Sequence, residues 1–207
     1  MPIGLEEEGL VVPTDFVIVR HGQTDWNLEK KIQGSTDIPL NATGEAQAQH
    51  TRDALRAQSI DAVVSSTLQR AAFTADAINE HHAKPRHIDP RLSERAFASV
   101  EGWTVDQVTA AFGSFDAIAD VEPWDHVSSR MFDAMQDLAA AYPDGRLLVV
   151  THGSSIRALL AHMQGLGPRE VPSMWNCSIS EVRHHDDGTW ELLSFNDNSH
   201  LPEALRT

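Results

Sequence analysis

The chain has 207 residues, 41% hydrophobic and 22% charged, which supplies one ordinary core and excludes a disordered polar segment. Its formal net charge of -14, from 30 acidic and 16 basic residues, excludes the basic face that a nucleic acid or an anionic membrane surface would require of a partner. No apolar run reaches the roughly 20 residues of a membrane span. The acidic start MPIGLEEEGL lacks the basic and apolar regions of a signal peptide, and the single cysteine, Cys177, cannot close an internal disulfide, so a cytoplasmic protein is expected.

In chain order, residues 15–20 (DFVIVR) read as a buried strand that runs into a loop at His21-Gly22. An Ala- and Gln-rich stretch predicts a helix from about Thr43, with Ala46, Ala54 and Leu55 on one face. Residues 60–64 predict a second strand, and residues 67–80 a helix with Leu68, Ala71, Ala72, Ala75 and Ile78 on its inner stripe. A short extended piece follows at 86–88. Residues 95–145, broken by Gly102, Gly113, Pro123 and Pro143, predict an inserted helical lid that ends in a helix over 128–141. Residues 146–151 (RLLVVT) are the most apolar strand candidate, followed by His152-Gly153 and a helix over 154–163. The C-terminal part alternates around Asp187-Gly188 and predicts a hairpin. Alternating strands and helices predict one domain over 1–207. Its expected class is a three-layer α/β/α sandwich with a mostly parallel central sheet. In such sheets ligands sit beyond the carboxyl ends of the strands.

That placement gathers three segments. Arg20-His21-Gly22 follows the first strand, Arg70 enters the helix after the second, and His152-Gly153 follows the strand near 150. The glycine at 22 predicts a close approach of backbone to ligand. The helix opening at Gly153 offers free N–H groups to an anion. Arg70 sits where a helix dipole prefers negative charge, which points to a bound counter-ion. Two arginines match phosphate oxygens by bidentate hydrogen bonding. Their charge keeps a neighbouring imidazole neutral and therefore nucleophilic. The set suits phosphoryl transfer through a phosphohistidine, with no metal and no cofactor.

The segment FVIVRHGQTDWNLEKKIQGSTDIPLNATGEAQAQ resembles the opening of the histidine phosphatase superfamily, in its phosphoglycerate mutase-like branch. SSTLQRAAFTADAI, LSERAFASVEG and LLVVTHGSSIRALL resemble the later motifs, in family order. The resemblance implies His21 as nucleophile, Arg20, Arg70 and His152 as phosphate ligands, Asn27 as a further phosphate contact and Glu94 as proton donor. Gly153 belongs to the phosphate-binding set. One departure stands out. Ala98 follows Phe97 where the family often has glycine, and its Cβ bears on the pose of Glu94.

Mutase and phosphatase share the phosphohistidine. A mutase must also grip a second anionic group, and between Ala96 and Gly145 the only lysine or arginine is Arg130. Hydrolysis of a small phosphorylated metabolite is therefore expected to dominate over phosphoglycerate mutase activity. Trp103 or Trp124 is a candidate for the pocket wall. From a different class, a catalytically inactive phospho-ligand binding module stays open, although both histidines, both arginines and the glutamate are retained. The histidine pairs 81–82 and 184–185 lack metal-ligand spacing, Cys177 reads as a small buried hydrophobe, and a homodimer is compatible with the resemblance.

Overall fold

The computed structural model describes residues 13–207, so the acidic start MPIGLEEEGL lies outside the described residues. Six strands form one sheet in the order β3-β2-β4-β1-β5-β6. They are β1 (Thr14–Arg20), β2 (Ala62–Ser65), β3 (Arg86–Ile88), β4 (Arg146–Thr151), β5 (Ile179–His184) and β6 (Trp190–Asp197). The first four run parallel, and the β5–β6 hairpin joins β1 antiparallel.

Strand alternation splits the central residues between two faces. Phe16, Ile18, Leu147 and Val149 face a core closed by α5 (Trp124–Ala141) and α6 (Gly153–Gln164), through Met131, Met135, Ile156 and Leu159. Val17, Val19, Leu148 and Val150 face Leu55 of α2 (Ala42–Leu55) and Ala71, Ala75 and Ile78 of α3 (Gln69–Asn79). Each such fully buried side chain contributes about 1.5–3 kcal/mol, so the two middle strands and the rim they carry are the most firmly held part of the sheet.

Two helix starts differ from expectation for local reasons. Leu68 stays extended, so α3 opens at Gln69, whose N–H donates to Asp37 Oδ1 at 2.8 Å. That borrowed acidic cap offsets the unfavourable position of Arg70. Pro123, read as a breaker, is the N-cap of α5 and lies outside the first turn, where proline is tolerated.

The expected lid over 95–145 divides in two. Helix α5 is a layer helix of the main core. Residues up to Val121, including α4 (Val105–Phe112), gather around a separate small core of Ile32, Val100, Val108, Ile118 and Val121. Ile32 comes from the loop after the short helix α1 (Asp25–Leu28), and Ile32 and the lid exchange backbone hydrogen bonds at 2.8 Å through Trp103 O and Gly102 N. Among the described residues no helix is long and apolar enough to cross a membrane.

Candidate active site

Register builds the site. β1 and β4 pair Arg20 with Thr151, and β2 and β4 pair Ser65 with Val150. The residues that follow, Ser66, His152 and His21, therefore stand side by side along the carboxyl rim. The His21 and His152 ring centroids are 5.1 Å apart. Both rings are buried, at 2% and 0% exposure.

His21 Nδ1 lies 2.7 Å from the Gly22 carbonyl, which can only accept, so the proton sits on Nδ1 and the Nε2 lone pair is free. Burial, then the charges of Arg70 and Arg20, hold the His21 pKa well below the ordinary histidine value. His152 Nε2 is 2.7 Å from Ser66 Oγ, which itself accepts from Leu68 N–H at 3.3 Å. Ser66 therefore donates to Nε2 and leaves the proton on Nδ1, an atom that is buried with no partner among the described residues. Burial first, then Arg70, also holds the His152 pKa well below the usual value.

The arginines share this unspent capacity. Arg70 is fully buried and donates to Thr36 O at 2.9 Å and Gly34 O at 2.8 Å, while its Nε has no partner. Burial lowers its pKa to about 10, so it stays cationic at neutral pH. Arg20 donates through Nη1 to Met174 O, and its Nε is likewise buried and unpartnered. Asn27 Oδ1 accepts from Thr24 N (3.1 Å) and Asn176 Nδ2 (3.2 Å), and its amide nitrogen has no hydrogen-bond partner among the described residues. Gly153 opens α6 beside Arg20, and a Cβ there would sit 3.5 Å from Arg20 Nε. Glu94 lies across the first turn of α6. It accepts from Ser154 N at 3.3 Å, Ser155 N at 3.2 Å and Arg95 N at 2.9 Å. Arg95 itself turns away towards Asp116 and the Glu122 carbonyl, so Glu94 is not paired with its guanidinium.

Arg20, His21, Asn27, Arg70, Glu94 and Gly153 floor a cavity of about 850 Å³ walled by Trp26, Phe97, Phe115, Trp124 and Trp175, and His152 lies buried beside His21 beneath it. Trp103 does not line it, because it packs on Phe112 outside, at 6.0 Å between centroids. Gly22 serves packing instead of ligand approach. A Cβ there would meet Gly44 O of α2 at 2.5 Å, so the His21 loop can lie against that helix only with glycine at 22. Ala98 takes the left-handed conformation itself, at φ 44°, and so preserves the backbone path that glycine would take. Arg130 is absent from the cavity. Its guanidinium donates to the Arg91, Ser93 and Glu94 carbonyls and pairs with Glu122, bracing the Glu94 loop. The basis for denying the pocket a second cationic grip therefore fails, since Lys30, Lys31, Arg157 and Arg169 enter the cavity from other segments.

Sequence reading passes over three supporting residues. Ser66 sets the His152 tautomer, and Asn176 donates to both His21 O (3.0 Å) and Asn27 Oδ1. Glu101 accepts from Ser35 N at 2.8 Å, Thr36 N at 2.9 Å and Phe97 N at 3.1 Å, which ties the lid to the loop that receives Arg70. Replacing Glu101 with alanine frees these donors and is expected to cost about 2–4 kcal/mol of unfolding free energy, with a larger loss of activity than of melting temperature. Chemical denaturation alongside initial-rate assays checks this; wild-type stability and turnover in the variant would contradict it.

The two depressed histidines also couple stability to pH. In the unfolded chain each titrates near 6.5, whereas in the fold each resists protonation. The unfolded state binds more protons below that pH. The stability is thus present in full above about pH 6.5 and declines as pH falls towards the folded-state values. Each imidazole removes about 1.4 kcal/mol per pH unit in that window. Urea unfolding between pH 7 and 5 should show the decline, and a flat profile would contradict neutral buried rings.

The model of the histidine phosphatase superfamily (branch 1) matches residues 16–198. The uncharacterized phosphatase PhoE of Bacillus subtilis (strain 168) is 35% identical over 194 residues, covering 93% of this chain and 100% of that protein. Phosphoglycerate mutase-like protein 4 of Arabidopsis thaliana is 34% identical over 203 residues, covering 92% and 88% respectively. Among solved structures, a mycobacterial glucosyl-3-phosphoglycerate phosphatase in complex with VO3 aligns with a TM-score of 0.82 at 28% identity, over 89% of this chain and 99% of that one. With the family's motifs spread along the chain and the residues that carry them gathered at one sheet rim, the chain belongs to branch 1 of the histidine phosphatase superfamily.

Proposed function

We propose that the protein is a metal-independent phosphatase that moves the phosphoryl group of a small phosphorylated metabolite to His21 and then to water. The observation that carries this reading is the pairing of two neutral, buried imidazoles with two buried arginine Nε groups and a His152 Nδ1–H that have no hydrogen-bond partner among the described residues. Buried donors are nearly always satisfied, so an anion with several oxygens is the fitting partner.

His21 Nε2 attacks phosphorus. The N–P bond forms as the ester P–O bond breaks, and Glu94 delivers a proton to the departing oxygen. Water then attacks the phosphohistidine and yields a proton to Glu94. The P–N electron pair returns to His21, and inorganic phosphate leaves. Throughout, Arg20, Arg70, Asn27, His152 and the Gly153 N–H hold the oxygens, whose charge peaks in transit. A cavity of about 850 Å³ leaves room for water beside a small substrate, which favours hydrolysis over return of the phosphoryl group to a second oxygen.

The test is phosphate release from p-nitrophenyl phosphate in excess chelator. Undiminished turnover is expected. Efficient conversion of 3-phosphoglycerate to 2-phosphoglycerate with little free phosphate would instead make the protein a mutase. Binding of a phosphopeptide without hydrolysis of any ester would make it a binding module.

A further inference from the structure

Arg20 reaches the phosphate floor from the end of β1, and its guanidinium has one hydrogen-bond partner among the described residues, the Met174 carbonyl. That carbonyl belongs to the peptide unit between Met174 and Trp175. The N–H on the other edge of the same unit donates to Asn196 Oδ1 at 2.9 Å. In a trans peptide the two groups point in opposite directions from one rigid plane. Whatever fixes the Trp175 N–H therefore also aims the Met174 carbonyl at Arg20. Asn196 Nδ2 donates to Ser173 O at 3.1 Å, which belongs to the preceding peptide unit, so one side-chain amide grips the chain on both sides of Met174. The partners fix which end of the amide is oxygen, since an N–H must meet an acceptor and a carbonyl a donor.

Irregular pairing of the hairpin aims this side chain. Between Ile179↔Asp197 and Glu181↔Ser194, three steps along β6 oppose two along β5. Asn196 lies in that bulge at φ 52°, a left-handed conformation that asparagine accepts more readily than most residues. Its own N–H donates to Ser180 Oγ at 2.9 Å. The Met174 side chain is buried in the core under α5 and α6 and fixes where the loop runs, whereas Trp175 is half exposed. A buried side chain leaves the peptide plane free to tilt; hydrogen bonds at both of its edges do not. Asn196 does not line the cavity, so it meets no substrate atom.

We propose that Asn196 is a positioning residue for the reaction: through the 174–175 peptide it holds the Arg20 guanidinium in the plane that meets the phosphoryl oxygens. This rests on the phosphatase reading above. Arg20 Nε is buried with no partner among the described residues, and its direction is set from the other end of the same planar group, where Met174 O holds Nη1. A misdirected donor costs most where charge peaks, so the loss falls on kcat.

Asn196→Gly removes the amide and keeps a backbone that accepts this φ. It is expected to lower kcat/KM for p-nitrophenyl phosphate about tenfold, chiefly through kcat. The decisive readout is the same substitution in an Arg20→Lys background. An ammonium has no plane to align, so the further loss there should stay under about twofold. Wild-type turnover in a folded Asn196→Gly protein, judged by circular dichroism, overturns the proposal. So does a loss of equal factor in both backgrounds, which is the signature of a merely structural role. If the glycine variant does not fold, Asn196→Asp takes its place. Its second oxygen faces the Ser173 carbonyl and breaks the grip at that point, so the same unequal losses are expected. No loss, or equal losses, again overturns the proposal. Absence of p-nitrophenyl phosphate hydrolysis by the wild type would sink the phosphatase reading and this proposal with it, whereas equal losses beside an active wild type sink this proposal alone.

Discussion

Replacing His21 with alanine is expected to lower phosphate release from p-nitrophenyl phosphate by about four to six orders of magnitude, because no other group at the site can take its place as nucleophile. His152 is the nearest imidazole, but its Nε2 is engaged by Ser66 and its Nδ1 carries the proton. Glu94 accepts from three backbone N–H groups at the start of α6 and its own loop. The fold should survive, since the variant removes a neutral ring and keeps the Asn176-to-His21 O bond, which is a backbone contact. Retained turnover in a folded His21→Ala variant, judged by circular dichroism, would remove His21 from its role.

Arg70→Lys carries the second large effect despite keeping the charge. The guanidinium reaches Gly34 O and Thr36 O with its two Nη groups and still presents Nε to the floor. An ammonium cannot hold both carbonyls and the phosphate from one nitrogen. The expected loss is about 10²- to 10³-fold in kcat/KM, comparable to deleting a preorganised oxyanion donor. A stability cost of about 1–3 kcal/mol accompanies it, from the carbonyl left unpaired. The phosphate-binding role predicts that inorganic phosphate inhibits the variant more weakly than the wild type. Activity within a few fold of wild type would show that Arg70 only braces the loop at 34–36.

The architecture was legible because its signals are periodic. Strands β1 and β4 are continuous apolar runs, and the histidine after each is fixed to the rim by sheet register. Ser66 was visible as punctuation after β2, but its hydrogen bond to His152 spans 86 residues and has no local trace. The same holds for Glu101, whose partners at 35 and 36 lie far back in the chain, and for Asn176, which precedes β5. Pro123 hides the boundary between the lid and α5, because a proline that breaks one element also starts another. Charge is the least legible feature. Arg130 is the only lysine or arginine within 96–145, yet it supports the Glu94 loop from behind, while Lys30, Lys31, Arg157 and Arg169 reach the cavity from elsewhere. A pocket wall assembled from four segments cannot be read from one of them.

Phosphoryl capture on a single imidazole is the claim on which the rest depends. Mixing the protein rapidly with p-nitrophenyl phosphate, quenching in alkali and locating the added phosphoryl group by peptide mass spectrometry tests it directly. The expected result is an acid-labile, alkali-stable phosphoryl group on His21. A phosphoryl group on any other residue, or turnover with His21 unmodified at every quench time, would contradict it.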